Sequence, residues 1–176
     1  GDHRDLHLSI RRQRQMCIRD SCSGVLICAA ITRLARGKTD VVMMLNGALG
    51  GLVAITAEPL MPSPIAAIII GGIGGALVFA GTELLAALKI DDVVGAIPVH
   101  LIAGVWGTLA VPITNPDTSF GAQFLGTASI CVFVFVTSII IWSIMKATIG
   151  IRISEEAEKE GTDVAETGVI AYSIRD

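Results

Sequence analysis

Residues 65–88 read IAAIIIGGIGGALVFAGTELLAAL, an apolar run of 24 positions broken only by Glu83 near its far end. A helix needs about 20 consecutive apolar residues to cross the hydrocarbon core of a bilayer, so this run is long enough to span one. The composition agrees: of 176 residues, 52% are hydrophobic and only 16% are charged, and the mean hydropathy is +0.70. Intrinsic disorder needs the opposite balance, low hydrophobicity with high net charge. With 5% aromatics and 19 glycines, the chain suits helices packed closely in lipid better than a water-facing fold around one core.

On the N-terminal side, EPLMPSP at 58–64 carries three prolines and ends a preceding run, 41–57, whose 17 residues hold no charge and sit at the low end of a span. Before it, RLARGKTD is a basic turn, and 22–34 is a shorter apolar stretch that reads as a helix lacking its beginning. In the other direction, KIDDVVG is a polar turn, and 96–113 is a fourth helix with Pro98 and His100 in its first turns, where proline is tolerated. TNPDTSF forms the next turn, 121–145 is the most uniformly apolar helix, and a polar tail begins at Lys146. The expected fold is all-α, a polytopic transmembrane bundle of about five helices.

Residues 1–21, GDHRDLHLSIRRQRQMCIRDS, differ abruptly in composition from the rest of the chain and lack the apolar core of a signal peptide. They read as a non-native or disordered tail, similar to translated sequencing-adaptor read-through, and are expected to stand outside the fold. The organisation is therefore a tail at 1–21, a transmembrane domain at 22–146 and a cytoplasmic tail at 147–176.

Basic residues set the orientation, because Lys and Arg accumulate in cytoplasmic loops. Arg33, Arg36 and Lys38 share one loop, Lys89 lies in the next but one, and Lys146 and Arg152 come after the last helix. This puts the C-terminus in the cytoplasm and loops 58–64 and 114–120 outside. Gly47 with Gly51, Gly71 with Gly75, and Ala103 with Gly107 are small-residue pairs four apart, the spacing that lets helices approach closely. Cys17, Cys22, Cys28 and Cys131 show no metal-binding spacing, and Cys28 and Cys131 read as small buried hydrophobes. The basic cluster near the N-terminus has no apolar periodicity, so a nucleic-acid role is not expected.

His100, in GAIPVHLIAGVWGTLAVP, is the strongly polar titratable side chain well inside a predicted span. An ionisable residue there is costly unless it faces a cavity, a partner or a pathway. Three roles are open to it: a structural hydrogen-bonder, a haem ligand that would want a second axial histidine, or a member of a proton relay, since imidazole accepts a proton on one nitrogen while donating from the other. No nucleophile with its base, metal cluster or phosphate loop stands out, so an enzyme is not expected.

KIDDVVGAIPVHLIAGVWGTLAVP, residues 89–112, closely resembles a late-helix signature of the ammonium transporter family, the Amt/Mep/Rh group. LNGALGGLVAITA, 45–57, resembles an earlier helix of the same family, and GTDVAETGVIAY, 161–172, its cytoplasmic C-terminal motif. The three occur in the family's order and together cover about 24–172. Family members have about eleven transmembrane helices, so the resemblance implies the last five, the first of them truncated, in a homotrimer whose subunits each carry a narrow hydrophobic pore in the inner or plasma membrane.

It further implies that His100 is the second of two hydrogen-bonded pore histidines; Ile55, in the GLVAIT match, is a candidate pore-lining residue, against the commoner reading of a buried or lipid-facing isoleucine. Ammonium or ammonia would be the substrate, with no metal or cofactor. Asp91 and Asp92 match an acidic pair in the family's cytoplasmic loop, where they either cap the helix of His100 or stand in a solvated turn. Gly161, Asp163, Gly168 and Tyr172 match a regulatory tail that couples subunits, beneath a vestibule plugged in many microbial members by a PII-type signalling protein. Val93 stands where the family commonly has proline, and Thr167 where it often has histidine. The competing reading is a non-transporting helical membrane subunit, a haem-bearing redox component or a scaffold in contact with membrane lipid, with His100 structural.

Overall fold

The computed structural model describes residues 3–58 and 63–170, except for the side chains of residues 3–10, 12 and 16. The described residues form helices joined by turns: α1 (His3–Arg36), α2 (Val41–Ile55), α3 (Pro64–Ala87), a π-helical segment (Ile97–Ile102) that runs directly into α4 (Ala103–Thr114), α5 (Phe120–Thr148), α6 (Glu155–Glu160) and α7 (Thr162–Thr167). Residues 1–129 make one compact unit and residues 130–176 a second. The division falls inside α5.

In the first unit, α1, α2 and α3 pack against one another, and the π segment and α4 lie on α2 and α3. Local chemistry sets where these helices start. Asp40 caps α2 by accepting from the Met43 amide at 3.1 Å, and Ser63 caps α3 by accepting from the Ala66 amide at 3.4 Å, with Pro64 in the first turn where its missing N–H is no loss. Two small clusters form the core: Ala54, Ile55, Ala67, Ile70 and Ala110, flanked by Ala66 and Trp106, and Val78, Val99 and Ala103, flanked by Val53.

The glycine pairs sit where the helices meet. A methyl group on Gly75 would lie 2.6 Å from the Gly24 carbonyl oxygen, so α1 and α3 touch through their backbones. Buried Cys28 beside this crossing donates from Sγ to the Gly75 carbonyl at 3.1 Å. Many large apolar side chains on the helices are exposed, and α5 has no buried residue. Pro64–Ala87, Ile97–Thr114 and Phe120–Thr148 are long and apolar enough to cross a membrane, whereas α2 has 15 residues.

Most of the stretch 1–21 lies in α1. Helix α1 runs unbroken from His3 to Arg36, because no glycine or proline lies between residues 3 and 23 to stop it. Arg11, Gln13, Arg14 and Gln15 are exposed, while Asp20 is fully buried. Its backbone lies against α2 and α3, with its carbonyl oxygen 2.4 Å and 2.7 Å from where methyl groups on Gly51 and Gly71 would stand.

In the second unit, α5 ends with Ile149 and Gly150 both donating to the Met145 carbonyl at 3.0 Å, Gly150 having φ +78°. Ser154 then caps α6 by accepting from the Ala157 amide at 3.2 Å. Glu155, Glu156 and Glu158 in its first turn complement the helix dipole.

Candidate functional site

The site is built on the turn that leads into the π segment. Asp92 accepts from the Ala96 amide at Oδ1 and from the Ile97 amide at Oδ2, both at 2.8 Å, so one carboxylate satisfies two of the unpaired N–H groups at the helix start. Asp91, its neighbour, is exposed. Gly95 has φ +78°, a conformation glycine adopts without steric cost, and donates to the Asp92 carbonyl at 3.3 Å. From α2, the Asn46 side-chain amide donates to the Val94 carbonyl at 3.0 Å and closes the turn against the neighbouring helix.

Pro98 then brings the chain into a π-helical turn, in which the Ala103 amide reaches back five residues to the Pro98 carbonyl. Such turns widen the helix locally and are frequent at functional sites. Pro98, Val99 and Ala103 are buried, Val99 at 2% and Ala103 at 0%. His100 is exposed and lies outside both core clusters. Gly104 and Thr108 come next at four-residue intervals on the same helical face, and Thr108 Oγ1 is occupied by a 3.0 Å bond to the Gly104 carbonyl. The arrangement presents one imidazole, with both ring nitrogens, from an apolar membrane-crossing helix.

The structure does not bring Ile55 to this face. Ile55 is 4% exposed and packs with Ala54, Ala67, Ile70 and Ala110. Trp106 flanks the same cluster and donates from Nε1 to the Ile70 carbonyl at 3.1 Å, tying α4 to α3. Glu83, near the Lys89 turn, pairs with Arg36 of α1. In the tail, Gly161 joins α6 to α7 with φ +109°, Asp163 lies in the first turn of α7, and Gly168 closes α7 in the left-handed conformation, φ +68°. Tyr172 lies outside the described residues. Asn46 is the site residue that sequence reasoning passed over; its signal was a lone amide in the charge-free run 41–57.

Apolar helices that meet at glycines, one of them presenting an imidazole, define a multi-pass membrane protein. The family model described as Ammonium Transporter Family matches residues 20–172, and the chain belongs to that family. Ammonium transporter Amt2 of Archaeoglobus fulgidus is 36% identical over 173 residues, which cover 86% of this chain and 37% of that protein. Ammonium transporter Amt1 of Haloferax mediterranei is 33% identical over 155 residues, covering 85% of this chain and 30% of that one. A solved structure titled Sensor Amt Protein superposes with a TM-score of 0.84 at 29% identity, covering 90% of this chain and 42% of the other. The chain thus spans about a third of the length of these curated relatives, and the matches lend no support to the haem-bearing or scaffold reading of His100.

Proposed function

We propose that this chain supplies the C-terminal helices of a protein that moves ammonium across a membrane, with His100 on the wall of the conducting path. The observation that carries the reading is the exposed imidazole on the π-helical turn of a membrane-crossing helix, within the segment matched by the family. An apolar path holds back a charged ion, because stripping its water costs more than the walls return. Ammonium can shed its proton and pass as neutral ammonia, whereas potassium has no proton to give. The imidazole accepts a proton on one nitrogen and donates from the other, so it can hydrogen-bond the neutral molecule and hand on the proton without covalent chemistry.

In this reading the positive loops face the cytoplasm, so the Asp92 turn and the α6–α7 tail lie inside the cell. Asp92 holds the start of the His100 helix, and Asp91 stays in the solvated turn. Ile55 acts from the packed core, setting the spacing of α2, α3 and α4 behind the path. The family resemblance supports a homotrimer, and the tail of Gly161, Asp163, Gly168 and Tyr172 as the segment that couples subunits or meets a PII-type protein.

A chimera tests the proposal: the matching portion of the Archaeoglobus fulgidus transporter is replaced by residues 20–172 and expressed in cells that lack ammonium uptake. Growth on limiting ammonium that the His100→Ala variant loses at equal membrane abundance is expected. Equal growth with and without the imidazole would overturn the role given to His100.

A further inference from the structure

The hydrogen bond from Asn46 to Val94 joins positions 48 residues apart. It is the side-chain tie between α2 and the turn that sets up the π segment, and it acts where that turn is least supported. Val93 and Val94 are 89% and 69% exposed, so apolar packing does not hold them. Gly95, next in line, is buried, and a methyl group there would lie 2.6 Å from Asn46 Nδ2. The amide therefore fills the space beneath Gly95 while it holds the preceding carbonyl. Pro98 follows Val94 by four positions and His100 by six.

We propose that Asn46 is a positioning residue for His100: its amide fixes the 92–95 turn so that Asp92 caps the chain at Ala96 and Ile97 and the π segment presents the imidazole on the open face. The chain of contacts is continuous. Asn46 holds Val94, the Asp92 carbonyl accepts from Gly95, the Asp92 carboxylate accepts from Ala96 and Ile97, and Gly95 accepts from the Val99 amide at 3.1 Å. Loss of the amide frees the Val94 carbonyl, and the π turn can then relax toward a tighter helix. Each residue of such a change rotates a side chain about the axis, so the ring would leave its position without any loss of the helix itself. The functional weight of this inference rests on reading His100 as the pore residue.

The whole 176-residue chain, labelled with 15N at histidine and backbone amides and embedded in lipid nanodiscs, tests it by NMR. His3 and His7 serve as internal controls. Asn46→Leu keeps the size and removes the donor. It is expected to shift the His100 ring nitrogen signals and to speed hydrogen exchange at Ala96 and Ile97 by about tenfold, leaving α1 and α3 amides as they were. Asn46→Gln, which keeps an amide, is expected to recover at least half of the protection. Gly95→Ala presses on the same amide from the other side and should reproduce the His100 shift, which carries the test if the Leu variant does not insert. Unchanged His100 signals, or equal disturbance by Leu and Gln spread over α1 to α3, would overturn the proposal. Uptake by the chimera separates the two readings: a silent chimera with an intact NMR signature defeats the transport role and leaves the positioning role standing.

Discussion

Gly107 of α4 lies so close to α2 that a methyl group at its Cβ position would sit 2.3 Å from the carbonyl oxygen of Ala54. Neither backbone can move aside, because Ala54 is 2% exposed and belongs to the cluster with Ile55, Ala67, Ile70 and Ala110. This contact sets how near the His100-bearing helix comes to α2. Gly107→Ala is therefore expected to cost about 1–3 kcal/mol by overpacking, seen as a lower midpoint in thermal unfolding of the chain in nanodiscs. An unchanged midpoint would mean that the two helices do not meet here.

Arg36 joins three helices at the end bearing the basic loop. Its guanidinium pairs with Asp40 at 2.9 Å and with Glu83, and stands over the Phe79 ring 5.5 Å from its centre. Both pairs are more than a third exposed on at least one side, so water and salt weaken them. Glu83→Gln is expected to lower stability by at most about 0.5–1 kcal/mol, by less in high salt, and to leave the chimera's ammonium uptake at the parental rate. A large loss of uptake would give Glu83 a place in transport beyond its surface ion pair.

The two adjacent acids of the turn should behave differently. Asp92 accepts two amides, whereas Asp91 is exposed. Asp92→Ala is expected to cost about 1–2 kcal/mol, as for loss of a helix cap, and Asp91→Ala to stay within about 0.5 kcal/mol of the parent. Thermal unfolding of both variants side by side decides it, and equal losses would contradict the capping geometry.

Helix α3 ends in a paired set of reverse bonds, Ile90 N–H to the Leu85 carbonyl at 3.0 Å and Lys89 N–H to the Ala86 carbonyl at 3.1 Å. Lys89 takes the left-handed conformation that this ending needs, φ +57°, where glycine is the usual occupant. Lys89→Gly relieves about 1–2 kcal/mol of left-handed strain and returns part of it as unfolded-chain entropy, for an expected net gain of about 0.5–1 kcal/mol. A fall in the unfolding midpoint would show that the Lys89 side chain contributes more than its backbone strain costs.

The bundle was legible in the sequence because the helices from α2 to α5 are apolar runs ended by prolines or polar turns, as at 58–64 and 89–95. The crossings were legible too, since Gly47, Gly51, Gly71 and Gly75 all lie at backbone contacts. The hidden features depend on direction within a helix or on distant pairs. Ile55 sits in a run so evenly apolar that no polar face marks which side is buried. The π turn depends on Pro98 and a carboxylate cap acting together, and Asn46 acts across 48 positions. The continuation of α1 through residues 3–21 was masked by composition, since a polar stretch without glycine or proline can remain helical although its residues do not suggest a core.

Ammonium flux into proteoliposomes, measured for the chimera carrying residues 20–172 and for its His100→Ala variant, tests the place of the imidazole on the conducting path most directly. If His100 lines that path, the parent passes ammonium and no potassium, and removal of the imidazole brings at least a tenfold loss of flux or loss of the exclusion of potassium. Equal flux and equal selectivity in the two proteins would contradict it.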